Sequence, residues 1–162
     1  MKFTRDQFAA EALSWYPTPY TRRAAIKHVG ADCASFLGAI LVTGGFLPGD
    51  RFASMMRSIA ALGDDWFMHK AASTYEELMT RYVPRVGDRM TNGIPGEPPG
   101  NILLMNTWNS KHRNHGGIVT RWPNVVHCVY SGVKEINVLY DPMWSHKKVS
   151  VYDPWSGMEK TV

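Results

Sequence analysis

In the first half of the chain, a short polar segment is followed by hydrophobic residues that recur with helical spacing. The positions that share one helical face are Cys33, Leu37, Ile40 and Leu41. Asp32 precedes this face as a favourable N-cap, and Gly44 and Gly45 follow it as a stop signal. The pattern therefore predicts a central helix that begins at Cys33 and places this cysteine in the first turn.

Two further helices are predicted from capping signals and amphipathic spacing. Thr4 and Gln7 can form a capping box in front of a helix over about residues 5–15. A second amphipathic segment spans about residues 64–82. Its expected core residues are Trp66, Phe67, Tyr75, Leu78, Met79 and Tyr82. The Pro- and Gly-rich residues 84–100 that follow predict a loop of about 15 residues.

From Asn101 onward the pattern changes to short segments rich in Val and Ile, which predict strands. The predicted strands cover residues 102–105, 117–121, 125–130, 133–138 and 149–152. Residues 122–124 join the second and third strands as a tight hairpin. Helices followed by an antiparallel meander predict a single α+β domain over residues 1–162, with a C-terminal sheet of about five strands packed on the central helix.

The amino-acid composition restricts the class of protein to which the chain can belong. Of the 162 residues, 44% are hydrophobic and 20% are charged, values typical of one globular domain. No apolar run approaches the roughly 20 residues that a membrane span requires, so no membrane partner is predicted. Asp6 and Glu11 fall where a signal peptide would be apolar. We therefore expect a protein that is synthesised in the cytoplasm and is not exported by the usual route.

The net charge of +4 gives little information about a partner. Lys and Arg occur as scattered pairs, such as Arg22–Arg23 and Lys147–Lys148, rather than as one stripe. This spacing weakens the case for nucleic-acid binding, and no nucleic-acid partner is predicted. A mild positive balance also suits an anionic polymer such as a bacterial cell wall.

Candidate chemistry centres on the two cysteines, Cys33 and Cys128. Two cysteines do not form a disulfide framework, and they match a reducing compartment. The thiolate is the nucleophilic form of cysteine, and the amides and dipole of a helix N-terminus favour a negative charge. We therefore expect a lowered pKa for Cys33, with a histidine as its base.

The predicted hairpin makes the strands of His115 and His127 neighbours, so their imidazoles can lie side by side. Alternation along the third strand places His127 and Cys128 on opposite faces of the sheet, which argues against a disulfide or metal site that uses both. Taken singly, His127 could be a buried core histidine and Cys33 a small apolar residue. Three reactive side chains at ordered positions favour a catalytic set.

Five stretches of the chain occur in an informative order. They are WYPTPY at 15–20, VGADCASFL at 29–37, PGNIL at 99–103, HGGIV at 115–119 and WPNVVH at 122–127. This ordered set resembles the motifs of the NlpC-type cell-wall cysteine peptidases, and it is most similar to the branch found in phage and prophage tails. The resemblance covers about residues 10–140.

The resemblance implies a papain-like α+β fold with a Cys-His-polar triad. It assigns Cys33 as the nucleophile, His115 as the general base and acid, and His127 as the residue that orients the His115 imidazole. Tyr20 and Asp32 fall beside the nucleophile and are assigned to substrate binding or oxyanion stabilisation. The backbone N–H of Cys33 is also well placed to stabilise a tetrahedral oxyanion. The triad requires no metal and no cofactor.

The function that the resemblance implies is hydrolysis of amide bonds in peptidoglycan stem peptides, usually the bond between D-γ-glutamate and diaminopimelate. A virion-borne tail enzyme that acts on the cell wall, with phage tail proteins as partners, fits the absence of a signal peptide. So does an effector exported by a specialised secretion machine. The chain departs from the family at Ala34–Ser35, where Ser-Gly is frequent, and at Asn101, where Asp is usual. Because of these departures, the substrate specificity can differ from that of the family.

Three alternatives stay open. A structural tail-tip protein would keep the fold without catalysis, although packing does not demand three reactive residue types. Another papain-like activity, such as an amidase, deamidase or acyltransferase, would use the same triad on a different substrate. A metal hydrolase would use His112, His115 and His127, but no carboxylate stands at a matching spacing. The roles of Arg22, Arg23, Trp108 and Trp122 near the expected cleft are also open.

Overall fold

In the computed structural model, helices come first along the chain and the main sheet follows. The structure describes residues 1–61, 71–107 and 110–156. Within these ranges the helices are α1 (Arg5–Leu13), α2 (Cys33–Thr43), α3 (Gly49–Ala60) and α4 (Ala71–Tyr82). The strands are β1 (Ala25–Ile26), β2 (Gly30–Ala31), β3 (Arg85–Met90), β4 (Ile102–Met105), β5 (His115–Arg121), β6 (Asn124–Val129), β7 (Gly132–Asn137) and β8 (Lys148–Tyr152). None of the helices in these ranges has the length and apolar character needed to cross a membrane.

The caps predicted for the first two helices are confirmed. Thr4 and Gln7 form the capping box of α1, which ends at Leu13, two residues before the predicted end. Asp32 caps α2, so Cys33 is the first helical residue. Gly45 follows the end of α2 with a φ of +80°, a conformation that a residue with a Cβ rarely adopts.

The second amphipathic segment is confirmed in the part that the structure describes, where α4 covers residues 71–82. Tyr75 and Met79 are buried in the core, and Leu78 and Tyr82 are partly buried against it. The predicted core residues Trp66 and Phe67 lie outside the described residues, as do His69 and Trp108.

The main sheet is antiparallel and has six strands in the order β3-β8-β4-β5-β6-β7. Four of the five predicted strands, β4 to β7, form a meander, and the β5–β6 hairpin pairs Arg121 with Asn124. The expectation that the last strand extends this meander is wrong, because β8 does not pair with β7. Strand β8 returns from the end of the chain and lies between β3 and β4. The predicted α+β arrangement, with α2 packed on β5 and β6, is confirmed.

The expectation of a continuous loop over residues 84–100 is wrong, because Arg85–Met90 forms the edge strand β3. This segment carries charged residues on both faces and is largely exposed, so it has no alternating apolar signal. Its backbone is held by antiparallel pairing with β8, a partner that lies about sixty residues further along the chain. Helix α3 was likewise not predicted.

The two faces of the sheet contribute to two different hydrophobic clusters. One face packs on α1 and α2 through residues that include Leu104, Ile118 and Val126. The opposite face packs on a second cluster that includes Val119, Val125 and Trp144. Residues of β5 and β6 therefore alternate between the helix side and the Trp144 side, as the period of a strand requires.

Gly117 allows β5 and β6 to approach closely at the point where it pairs with His127. A Cβ at Gly117 would lie 2.4 Å from Cγ1 of Val125 and 2.9 Å from the carbonyl oxygen of Val126. The second of these neighbours is backbone and cannot move aside without disturbing the strand pair. Only glycine therefore fits this position without a shift of the hairpin.

We expect Gly117→Ala to destabilise the protein by about 1–3 kcal/mol, because the added methyl overpacks the strand pair. The thermal midpoint should fall by about 2–4 °C for each kcal/mol lost, as measured by circular dichroism. Gly96→Ala is the matched control, since a Cβ there meets nothing within 4 Å. An equal loss in both variants would contradict the close approach at Gly117.

Candidate active site

Asp32 holds the N-terminus of α2 through contacts with the backbone. Its Oδ1 accepts a hydrogen bond from the Ser35 amide at 2.8 Å, and its Oδ2 accepts one from the Arg23 amide at 2.7 Å. Its own amide donates to the Ser35 hydroxyl at 2.9 Å. These bonds give Asp32 a capping role, and a carboxylate beside the sulfur would repel rather than stabilise an oxyanion.

Cys33 is partly exposed at the start of α2. Its Sγ lies 3.8 Å from the carbonyl oxygen of Asn114, to which the thiol donates a weak hydrogen bond. Asn114 directly precedes His115, so the helix N-terminus meets β5 at the expected base. The thiol proton nevertheless points to a backbone oxygen and not to the His115 ring. A contact between thiol and imidazole therefore requires the Cys33 side chain to turn from this position.

The expectation of a lowered pKa at Cys33 is wrong. Burial raises the pKa of the thiol above its usual value, and the neighbouring Asp32 carboxylate and Cys128 thiol raise it further. The backbone amides of Cys33 and Ala34 face the sulfur and act in the expected, lowering direction. Because burial outweighs these amides, the resting thiol is neutral.

His115 and His127 lie together on one face of the sheet, as predicted. Nε2 of His115 is 3.1 Å from Nδ1 of His127, and the ring centroids are 5.3 Å apart. Both side chains are buried, with 6% and 1% of their surface exposed. Cys128 lies on the opposite face in the helix-side cluster, where its Sγ contacts the carbonyl of Ala31 at 3.3 Å. The alternation predicted for β6 is confirmed.

Both imidazoles are held in the neutral form. Burial lowers the pKa of His115 from 6.5 to about 3, with a further contribution from His127, while Asp141 acts in the opposite direction. Burial lowers the pKa of His127 to about 4, assisted by the charge of Lys134. The structure thus brings the two neutral imidazoles together on the Trp144 side of the sheet, whereas the neutral Cys33 thiol contacts the backbone directly before His115.

Trp144 is a member of the site that the sequence reasoning missed. The indole is wholly buried, and its Nε1–H donates a hydrogen bond of 3.1 Å to Nδ1 of His127. It lies in a turn-rich segment between β7 and β8 and belongs to no predicted element. The only available signal was a tryptophan in this segment, which does not identify a histidine partner.

The loop in front of His115 is anchored by Arg113 and Asn114, which were also missed. Asn114 Oδ1 accepts hydrogen bonds from the Thr107 amide at 2.8 Å and from the Thr107 hydroxyl at 2.9 Å. The Arg113 Nε donates to the Ser150 hydroxyl at 2.9 Å, and the Arg113 amide donates to Glu76 at 3.2 Å. The loop is thus tied to β8 and α4 immediately before the candidate base.

Tyr20 lies beside the thiol and is partly exposed. Burial raises its pKa to about 12, and the neighbouring Cys33 thiol and Asp32 carboxylate add to the shift, so the phenol keeps its proton. The ring packs against Tyr130 with centroids 4.8 Å apart, and the side chain hydrogen bonds to Arg22. The Tyr20 phenol therefore lies in the neighbourhood of Cys33 and Asp32.

A shared metal site is not found among the residues that the structure describes, where no group of three or more His, Cys, Asp or Glu side chains is suitably arranged. His112, which the metal-hydrolase alternative requires, donates its amide to the Ser110 hydroxyl at 3.1 Å. Trp122 is partly buried and packs against the Trp144-side cluster.

Comparison with known proteins adds no family assignment, since no protein-family model and no curated protein sequence matches this chain.

The two buried histidines predict a fall in stability with acidification. The unfolded chain takes up protons at the ordinary imidazole pKa of 6.5, whereas the folded chain resists protonation down to about 4 at His127 and about 3 at His115. A histidine with a lowered folded-state pKa contributes stability that is complete above 6.5 and is lost as the pH falls toward the folded value. Urea unfolding should show a decrease of about 2–4 kcal/mol between pH 7 and pH 5.

The control for this measurement is the double variant His115→Gln and His127→Gln. It should lose less stability over the same pH interval, because glutamine does not titrate. The same pH dependence in both proteins would contradict the assignment of two neutral buried imidazoles.

Proposed function

We propose that the chain is a cysteine hydrolase that cleaves amide bonds in peptidoglycan stem peptides. The target is the D-γ-glutamyl–diaminopimelate bond, and the setting is a phage or prophage tail that acts on the cell wall. The observation that carries the proposal is the 3.1 Å contact between His115 and His127, with the Cys33 thiol on the carbonyl of the residue before His115. A thiol at a helix N-terminus, bonded to the backbone directly before a buried histidine pair, supplies the residue types of a nucleophile, a base and an orienting group.

In the proposed reaction, the Cys33 thiol turns from the Asn114 carbonyl toward His115. The neutral His115 ring accepts the thiol proton as sulfur attacks the substrate carbonyl carbon. The amides of Cys33 and Ala34, which already face the sulfur, stabilise the negative charge that develops. The resulting imidazolium then protonates the leaving amine, and a thioester remains on Cys33. Water hydrolyses this thioester with His115 again as the base.

The neutral resting state is compatible with this sequence of steps. Hydrogen bonds at an active site often tighten only when substrate is bound, and a bound substrate displaces water from the nucleophile. His127 contributes a fixed acceptor for the His115 N–H rather than a negative charge. We therefore expect a mechanism in which proton transfer and attack are concerted.

The surroundings of Cys33 suit a substrate with free carboxylates, such as a stem peptide. Tyr20 neighbours the thiol and hydrogen bonds to Arg22, and the exposed Tyr130 ring packs against Tyr20. A guanidinium and a phenol O–H are favourable donors to a carboxylate. This arrangement supports the substrate class in the proposal.

We expect wild-type protein to release new stem-peptide fragments from purified Gram-negative peptidoglycan, as measured by mass spectrometry. Cys33→Ala should release none, because the nucleophile is absent. Cys128→Ser is the matched control and should keep most activity, since its hydroxyl can still donate to the Ala31 carbonyl. Fragments from Cys33→Ala equal to those from wild type would overturn the proposal, whereas activity only on another amide substrate would keep the nucleophile and change the substrate.

A non-catalytic tail-tip protein is the second candidate, and a specific observation favours it. The Cys33 thiol is neutral and hydrogen bonds to a backbone oxygen rather than to an imidazole. A cysteine in that state can be a packing residue with no chemical role.

Alkylation of Cys33 by iodoacetamide at neutral pH separates the two candidates. In a Cys128→Ser background, the hydrolase proposal predicts that His115→Ala slows alkylation at least about tenfold, because the base that assists thiol ionisation is lost. The tail-tip alternative predicts equal rates with and without His115. His112→Ala serves as the control and should leave the rate unchanged.

A further inference from the structure

The hydrogen bonds at Nδ1 of His127 fix where the protons lie. Both Trp144 Nε1 and His115 Nε2 approach this one nitrogen atom at 3.1 Å. An indole N–H can only donate a hydrogen bond. Nδ1 of His127 must therefore be the unprotonated nitrogen, and the ring proton of neutral His127 lies on Nε2.

The Nε2–H of His127 is itself buried and has no hydrogen-bond partner within the described part of the chain. Burying a donor without a partner is unfavourable. A hydrogen-bond donor at Nδ1 is therefore needed to keep the ring proton of His127 on Nε2. Trp144 is this donor, and no change of tautomer can turn its indole N–H into an acceptor.

The tautomer of His127 in turn determines the tautomer of His115. Because Nδ1 of His127 carries no proton, Nε2 of His115 must carry one in order to make the 3.1 Å hydrogen bond. Neutral His115 then has its lone pair on Nδ1. This is the nitrogen that remains available to take a proton from a thiol, whereas the opposite tautomer of His115 would present an N–H there.

The position of Trp144 is set by the backbone around it. The carbonyl of Trp144 accepts a hydrogen bond of 2.8 Å from the buried Thr91 hydroxyl, and its amide donates to the Asp141 carbonyl at 3.1 Å. The indole also packs in the cluster on its side of the sheet. The donor is thus held in place before any substrate binds.

We propose that Trp144 is a positioning residue that fixes the tautomers of His127 and His115, so that Nδ1 of His115 is the free acceptor in the site. The tautomers follow from the hydrogen bonds alone, while their use in catalysis rests on the proposed hydrolase function. Trp144 does not touch the reacting atoms and acts only through His127.

The test uses the full chain with ¹⁵N-labelled histidine and long-range ¹H–¹⁵N correlation spectra at pH 7. In wild type, both His115 and His127 should be protonated at Nε2. In Trp144→Phe, which keeps an aromatic ring and removes the N–H, a fraction of both rings should change to the Nδ1-protonated form. Trp155→Phe is the matched control, because its indole donates a bond of the same 3.1 Å length to the Phe3 carbonyl.

The kinetic readout is hydrolysis of peptidoglycan fragments. We expect kcat of Trp144→Phe to fall about tenfold with little change in KM, because fewer molecules carry the competent tautomer. The proposal is overturned if wild type carries the proton on Nδ1 of His127, a result that needs no variant to fold. It is also overturned if the tautomers of Trp144→Phe match those of Trp155→Phe. A chain that hydrolyses nothing but shows the expected tautomers would contradict the hydrolase function and leave the tautomer assignment standing.

Discussion

The close pairing of β5 and β6 is the constraint on which the candidate site depends. Gly117 lies opposite His127, and the absence of a Cβ lets the backbones meet without displacing Val125 or Val126. That register brings the His115 ring to the His127 ring on a buried face of the sheet. Trp144 packs against the same face, so the packing that buries the histidines also supplies the hydrogen bond to His127.

Burial decides the protonation of the site. A helix N-terminus favours a thiolate by only a modest amount, and the effect falls off within the first turn. Around Cys33 the loss of solvent and the charge of Asp32 act against ionisation and outweigh the amides. Around His115 and His127 the loss of solvent favours the neutral ring. The Cys33 thiol and the two imidazoles are therefore all neutral rather than partners in a preformed ion pair.

The anchoring of the loop before His115 shows how distant segments converge on the site. Arg113 reaches the Ser150 hydroxyl in β8, and Glu76 of α4 accepts the Arg113 amide. Asn114 offers its carbonyl to the Cys33 thiol while its side chain is bound to Thr107. These hydrogen bonds therefore connect the Cys33 thiol, the loop before His115, helix α4 and strand β8.

Much of this arrangement was determined by the sequence alone. The sequence determined the caps of α1 and α2, the position of Cys33 in the first turn, the meander of strands β4 to β7 and the shared face of the histidines. These features follow from contacts between residues close in the chain, and the pattern of such residues repeats with the period of a helix or a strand. The tertiary structure alone decided the edge strand β3, the partnership of Trp144 with His127, and the raised pKa of Cys33. These features depend on burial and on partners far along the chain, and no local pattern of residues records either quantity.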